Sequence, residues 1–433
     1  MINQKEFARR RRQLMRTVGE GAMVVVPAAP VRQRNSDVEY PYRQSSDFHY
    51  LCGFPEPDAV LVLIPGRAQG ESVLFCREKD PERETWDGPM VGLEDACSEF
   101  GMDDSFPYSD IDDILPNLME GRERLYYSLG REKDFDQRVL EWVAKVRQQV
   151  GKGARPPEEF VSLDHHLHDM RLYKSRSEIA SMSRSAKIAG EGHLRAMRAC
   201  RPGVTEYELT AELLFSFHRH QAQPSYQPIV GGGANACVLH YIRNSEPLND
   251  GDLVLIDAGA EYDHYASDIT RTFPVNGRFT TAQRDIYQVV LEAQEAAIAA
   301  VQPGNSCQAP HDAAVKVIRK GLAALGITTG RGRKKPEGEA YRKYFMHKTS
   351  HWLGMDVHDV GDYQIDGHPR ELEVGMALTV EPGVYIQPDA RVPKAFRGIG
   401  IRIEDDVVVT RNGPRVLSSG VAKTVDEIES VMA

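Results

Sequence analysis

The 433-residue chain holds no CxxC pair, no long apolar run and no excess of basic charge. Its six cysteines, Cys52, Cys76, Cys97, Cys200, Cys237 and Cys307, are scattered. That excludes a disulfide framework or a cysteine zinc site, and the thiols read as free in a reducing cytoplasm. No window reaches the ~18 consecutive apolar residues of a membrane-spanning helix. The opening MINQKEFARRRRQLM lacks the apolar stretch that follows the basic residues of a secretory signal. Lys and Arg number 53 against 63 Asp and Glu, a formal charge of −10. This balance excludes a general nucleic-acid binder with a basic footprint. The run Arg9–Arg12 accordingly reads as the exposed face of an opening helix. There is also no GKS/T phosphate loop, no GxSxG nucleophile motif and no HExxH zinc motif.

What is present is 41% apolar and 27% charged residues over a length of two or three domains, ample for a large core. The first part alternates in character. AMVVVPA (22–28), AVLVLIP (59–65), SVLFC (72–76) and LYYSL (125–129) predict strands, and 110–119 and 132–149 predict helices. GKGARPPEEF (151–160) predicts a loop, and His165, His166 and His168 fall in a polar connection. An α/β domain over 1–172 follows from this pattern.

The rest, 173–433, reads as a duplication. Ile179, Met182, Ala186, Ala189, Ala196 and Met197 mark an amphipathic helix that stops at Arg201-Pro202-Gly203, and Thr205 and Glu208 then offer a capping box. A second helix, marked by Ile286, Val290, Ala293 and Ala297, stops at Gln302-Pro303-Gly304, with another following from Pro310 to Leu325. Gly251-DLVLI-Asp257-Ala-Gly259 parallels Gly375-MALTV-Glu381-Pro-Gly383, and each has a later strand carboxylate, Asp268 and Glu404. Two such halves about a pseudo-twofold axis bring four carboxylates together.

Asp257 ends an apolar strand. A hairpin turning over Glu261–His264 would set Asp268, in the next strand, on the same face. Buried carboxylates repel one another unless a cation is present. Arg402, two residues before Glu404, shares its face and could pair with a ligating carboxylate. His347, His351 and His358 cluster in MHKTSHWLGMDVHDVG, and His240 follows a glycine-rich turn. Four carboxylates with an imidazole suit two divalent cations about 3.5–4 Å apart, which activate a bridging hydroxide and polarise a carbonyl.

In IDAGAEYDHYASDITRTFPVNGRF, SHWLGMDVHDVG, TVEPGVYI and GIRIEDDVVVT the chain resembles the Xaa-Pro aminopeptidases (aminopeptidase P) of the pita-bread metallopeptidases. RNSDVEYPYRQSSDFHYLCGFPEPDAVLVLIPG extends that resemblance into the first domain. The resemblance implies an α/β N-terminal domain before an α+β, duplicated pita-bread catalytic domain. It implies Asp257, Asp268, His351, Glu381 and Glu404 as ligands of two divalent ions, most often Mn²⁺, with Co, Fe or Zn tolerated. Asp268 and Glu404 would bridge the two ions.

His240 and His358 would then contact substrate, His347 would shape the proline site, Glu381 would shuttle a proton and Arg402 would support a ligand. Lys348 stands where the family often carries glycine. Asp37 and Trp86 lie in segments that reach a neighbouring subunit's site in related bacterial enzymes. The partners so implied are peptides with proline in second position, cut by a bridging hydroxide at the Xaa-Pro carbonyl, with no nucleic acid and no membrane. The assembly implied is a cytoplasmic homotetramer or homodimer, in which the first domain walls the site. Two alternatives stand beside this reading: a prolidase with the same ligands, and a peptide-binding pseudo-enzyme on the same scaffold.

Overall fold

The computed structural model describes residues 2–328 and 339–433, and the chain forms two compact units, 2–170 and 171–433. The first is built on a six-stranded mixed sheet. Its spatial order is Asp104–Pro107, Ser72–Cys76, Val60–Leu63, Ala22–Pro27, Arg124–Tyr126, Glu159–Val161. The central strands are buried along their length, as their unbroken apolar runs require. Helices Ile111–Met119 and Lys133–Gln148 cover one face, with Trp142, Val143 and Val146 packed among Met23, Val25 and Val62.

Three expectations fail in this unit. The arginine run is only half an exposed face, since Arg9 and Arg12 are exposed and Arg10 and Arg11 are not. Helix Gln4–Val18 buries Arg10 and Arg11. Arg10 donates to the Tyr50 carbonyl at 3.0 Å, and Arg11 donates to those of Leu51 and Gly101 at 3.1 and 2.7 Å. Tyr50 and Leu51 end the short helix Ser46–Cys52, whose last carbonyls have no partner within the helix, so two guanidinium groups serve them. The 151–160 segment is not all loop, because Glu159 and Phe160 begin the sixth strand. Parallel pairing with Arg124–Tyr126 holds that strand, and its largely exposed side chains gave no apolar pattern. The histidine-rich connection is a helix, Asp164–Leu172.

The second unit carries the repeat. Helices Arg176–Ala199 and Glu206–Arg219 form one antiparallel pair, and Thr281–Ala299 and Ala309–Ala324 form the other. Each pair opens on a capping box, Ser175/Glu178 and Thr280/Gln283. The two Pro-Gly turns do the same job in each half. Gly203 N–H donates to the Leu248 carbonyl and Leu248 N–H returns to Val204, both at 2.8 Å. Gly304 N–H donates to Leu372 at 2.8 Å and Leu372 N–H returns to Asn305 at 2.7 Å. Each leucine sits three residues before the glycine (Gly251, Gly375) that opens a carboxylate strand, so each helix pair is tied to its own strand.

Those strands are Leu253–Asp257, between Ile229–Gly232 and Thr270–Pro274, and Ala377–Val380, at the edge of a sheet that continues through Asp405–Thr410 to Gly413–Val416. The glycine two residues after each carboxylate marks a close approach. A Cβ on Gly259 would sit 1.7 Å from the Ser267 carbonyl oxygen, and one on Gly383 would sit 2.5 Å from the Tyr385 hydroxyl.

Candidate metal centre

The two halves meet where Thr270–Pro274 runs beside Ile399–Arg402. Glu404 N–H donates to the Thr270 carbonyl at 3.1 Å, and the Thr272 hydroxyl donates to the Arg402 carbonyl at 3.0 Å. This seam brings Glu404 of one half to Asp257 and Asp268 of the other. Asp268 does not lie in a strand, which corrects the sequence reading. The tight turn falls on Asp263 and His264, both with positive φ, between Glu261–Tyr262 and Tyr265–Ala266. The partner of Asp257 across the sheet is Thr270. Asp268 sits in the irregular stretch just before it, its N–H held by the buried Asp406 carboxylate at 3.1 Å. An irregular backbone needs such a partner, since no ladder serves it.

The histidines come from a segment that runs antiparallel to the second carboxylate strand. Glu381 N–H donates to the Thr349 carbonyl at 2.8 Å and Thr379 N–H to that of His351 at 3.0 Å. The nine residues expected to bind metal or act in catalysis, His240, Asp257, Asp268, His347, His351, His358, Glu381, Arg402 and Glu404, line one cavity of about 340 Å³. Donor atoms of Asp268, His351 and Glu404 lie within 4.8 Å of one another. His351 Nε2 is 3.4 Å from Asp268 and 3.8 Å from Glu381. His358 meets the His351 ring edge-on, centroids 4.3 Å apart. Asp37 and Trp86 lie in the first unit and are exposed, Trp86 by 87%.

Hydrogen bonds fix the tautomers. His351 Nδ1 faces the Trp352 carbonyl at 2.9 Å, an acceptor only, so Nδ1 carries a proton and Nε2 is the nitrogen turned to the carboxylates. His347 Nδ1 likewise donates to the Lys348 carbonyl at 2.7 Å, leaving Nε2 to accept from the Tyr385 hydroxyl at 3.0 Å. Burial, with Arg402 adding to it, pushes His347 down to about 4, so it is neutral.

The carboxylates cannot all ionise unaided. Burial, then Asp268, Glu381 and Asp257, raises Glu404 well above its ordinary value. Burial also raises Asp257, against the opposing Arg402, and lifts Glu381 to about 8. Burial works the same way on Asp268, but His351 outweighs it and holds that carboxyl low. Burial disfavours a charged His351, yet Asp268 raises it to about 9. The buried arginine of the cavity lining, Arg402, is committed: it donates to Asp257 at 2.5 Å, to the Thr270 hydroxyl at 3.1 Å and to the Tyr385 hydroxyl at 2.9 Å. Carboxylates and an imidazole converging in a desolvated site form a donor set for hard-to-borderline divalent ions.

Several supporting residues escaped the sequence reading. Tyr226 shares its hydroxyl hydrogen between Asp257 and Asp268. It lies in a loop with no periodic signal. Thr270 donates to Glu404 at 2.7 Å. Tyr385 could have been found, since alternation from Glu381 through Gly383 puts it on the same face. Glu206 is fully buried and ties both ends of the His240 segment. It accepts from the N–H groups of Gly232 and Glu246 at 2.8 and 2.9 Å and from the Tyr241 hydroxyl at 2.9 Å.

Comparison with known proteins agrees with this architecture. Residues 180–411 match metallopeptidase family M24, and residues 7–126 match the aminopeptidase P N-terminal domain. The chain is 46% identical to the Xaa-Pro aminopeptidase of Escherichia coli K12, covering 100% of this chain and 98% of that one. It is 35% identical to human Xaa-Pro aminopeptidase 3, over 99% and 86%. Among solved structures, Pseudomonas aeruginosa aminopeptidase PepP superposes with a TM-score of 0.98 at 55% identity, over 100% and 98%. A zinc-substituted Escherichia coli aminopeptidase P in complex with product gives 0.96 at 46%, over the same shares.

Proposed function

Because this chain belongs to metallopeptidase family M24, with an aminopeptidase P N-terminal domain ahead of the pita-bread domain, we propose that its cavity holds two divalent cations, manganese foremost. The enzyme is an Xaa-Pro aminopeptidase, a hydrolase that releases the N-terminal residue from peptides whose second residue is proline. Asp257, Asp268, His351, Glu381 and Glu404 would hold the two cations. The observation that carries this is the convergence of Asp268, His351 and Glu404 donors within 4.8 Å, in a cavity that Asp257 and Glu381 also line. Ions held there supply activation of water as a nucleophile at neutral pH and polarisation of the scissile carbonyl.

The chain's own residues do the rest. The bond before proline is a tertiary amide, so its nitrogen has no N–H and must be protonated to leave. Glu381 lies between His351 and His347, 3.8 and 3.7 Å from their ring nitrogens, and passes the proton from water to that nitrogen. Neutral His347, with Phe345 edge-on at 5.0 Å and Tyr385 at 5.6 Å, offers an aromatic wall to the proline ring. His240 and His358 stabilise the oxyanion of the tetrahedral intermediate. Arg402 fixes Asp257 and holds the local charge. The cavity's carboxylates hold the substrate's α-ammonium and confine cleavage to the first bond.

The first unit serves to assemble a homotetramer or homodimer, in which Asp37 and Trp86 reach a neighbour. The exposed indole of Trp86 supports this. Six free cysteines fit a cytoplasmic setting, and no helix among the described residues is long and apolar enough to cross a membrane. The prolidase alternative is not favoured, since the Escherichia coli and Haemophilus influenzae relatives, which match along the whole chain, are Xaa-Pro aminopeptidases. Mass spectrometry of products tests the reading. Mn-loaded protein should release only Arg from Arg-Pro-Pro-Gly-Phe and cut Gly-Pro slowly or not at all. Rapid Gly-Pro cleavage with the pentapeptide intact would make it a prolidase.

A further inference from the structure

Lys348 stands apart from every other charged group of the cavity. Its backbone is clamped on both sides. Its carbonyl accepts from His347 at 2.7 Å. The next residue, buried Thr349, gives its carbonyl to Glu381 N–H at 2.8 Å and its hydroxyl to His311 Nδ1 at 3.0 Å. The lysine side chain, by contrast, is exposed. Its ammonium makes no ion pair among the described residues, in a cavity whose other cation, Arg402, is buried and committed to Asp257. It lies 5.8 Å over the ring of Tyr363, which is itself pinned by stacking on Trp352 and by accepting from Trp352 N–H at 2.8 Å.

Lys348 also borders a second, smaller hollow of about 80 Å³ next to the main one, lined by His311, Gln308, Tyr363 and Gln364. The two hollows share Lys348, Ser350, His351 and Tyr363. Lys348 therefore lines both hollows and follows His347 directly in the chain. His347 is the residue assigned to the proline ring, so its chain neighbour Lys348 falls on the leaving-group side of the scissile bond. That step rests on the Xaa-Pro reading above.

We propose that Lys348 is a specificity residue that binds a substrate carboxylate on the C-terminal side of the scissile bond. The carboxylate is either the chain end of a short peptide or an acidic side chain just after the proline. A lone ammonium is a point charge without the planar fork that grips phosphate, and it is strongly hydrated. The expected selectivity is therefore modest and carried by binding, not by the chemical step.

The test uses full-length Mn-loaded protein and two matched peptide pairs. The first pair is Arg-Pro-Ala and its C-terminal amide. The second is Arg-Pro-Glu-Gly-Phe amide and Arg-Pro-Gln-Gly-Phe amide. In at least one pair the acidic peptide should have a KM about fivefold lower at similar kcat. Fivefold corresponds to about 1 kcal/mol, the size of an exposed ion pair. About 0.5 M salt should erode that ratio, Lys348→Ala should abolish it, Lys348→Glu should invert it and Lys348→Arg should keep it. The ratio within a pair is the readout, so a general loss of activity in a variant does not mimic the effect. Preference in the first pair alone assigns the carboxylate to the chain end, and in the second alone to the side chain. Equal KM values in both pairs, or a preference that survives Lys348→Ala, would overturn the proposal. Failure to cut any of the four peptides would overturn the Xaa-Pro reading and this proposal with it.

Discussion

Two clusters in this molecule hold the same kinds of metal-ligating groups. Asp268, His351 and Glu404 form one, and Asp47, Asp164 and His168, in the first unit, form the other. Only the surroundings differ. In the first unit the exposed guanidinium of Arg131 already fills the centre, 2.7 Å from Asp47, 2.9 Å from Asp164 and 2.8 Å from His168 Nε2. Its charge answers the carboxylates, and water reaches the group. In the second unit the carboxylates are buried; burial and the neighbouring carboxylates raise Glu404, and burial raises Asp257 even against its Arg402 partner. A list of donor atoms does not define a metal centre. Uncompensated charge in a desolvated place does.

The largest expected contrast comes from deleting one ligand in each cluster. Asp268→Ala should remove bound manganese and lower kcat/KM by at least on the order of 10³, beyond the 10–100-fold typical of supporting partners. Asp164→Ala should leave metal content and activity as they were. Elemental analysis beside kinetics checks both, and metal loss on Asp164→Ala would break the comparison.

The second contrast concerns how ion pairs behave when buried. Asp359 is enclosed with Arg171 at 2.6 Å and Lys174 at 2.9 Å. Burial pushes its carboxyl up, but Lys174 and Arg171 more than offset this and hold it below the usual range. A carboxylate depressed on folding contributes stability that is complete above its unfolded pKa, about 4. That contribution is lost as pH falls through the lower folded value. Asp359→Asn should therefore cost about 3–5 kcal/mol at neutral pH, because two cations stay buried, and should flatten the acid-side loss below about pH 4. Urea unfolding at both pH values measures this.

Smaller again, Tyr226→Phe should weaken metal affinity about 10–100-fold while leaving the ligands in place, seen as a shifted Mn²⁺ titration with a nearly full plateau. Smallest, Arg131→Ala should change stability by less than about 1 kcal/mol, as exposed ion pairs do. A much larger loss in thermal melting would mean that the first cluster is more tightly held than its exposure implies.

The sequence disclosed the repeat because its signals are local. The Thr205/Glu208 capping box, the Pro-Gly stops and an apolar strand leading to a carboxylate each depend on residues close in the chain, and they stand as read. Asp257 and Glu381 were legible for the same reason. Asp268 was found, but its strand was not real, because the turn closes early at Asp263-His264 and Asp406 from the other half holds its backbone. Tyr226 and Glu206 act through partners far along the chain, which no periodicity encodes. The arginine run misled because helix ends present carbonyls that only a three-dimensional neighbour can satisfy. The sixth strand was hidden by its exposed side chains.

The central claim is that the uncompensated cluster becomes an enzyme only by taking up two cations. The most direct measurement titrates chelator-stripped protein with Mn²⁺ and follows bound metal and Arg release from Arg-Pro-Pro-Gly-Phe in the same samples. The account predicts no release without metal and activity that rises with occupancy to a break at two ions per chain, absent in Asp268→Ala. Full activity in the stripped protein, or saturation with no metal bound in this cavity, would contradict it.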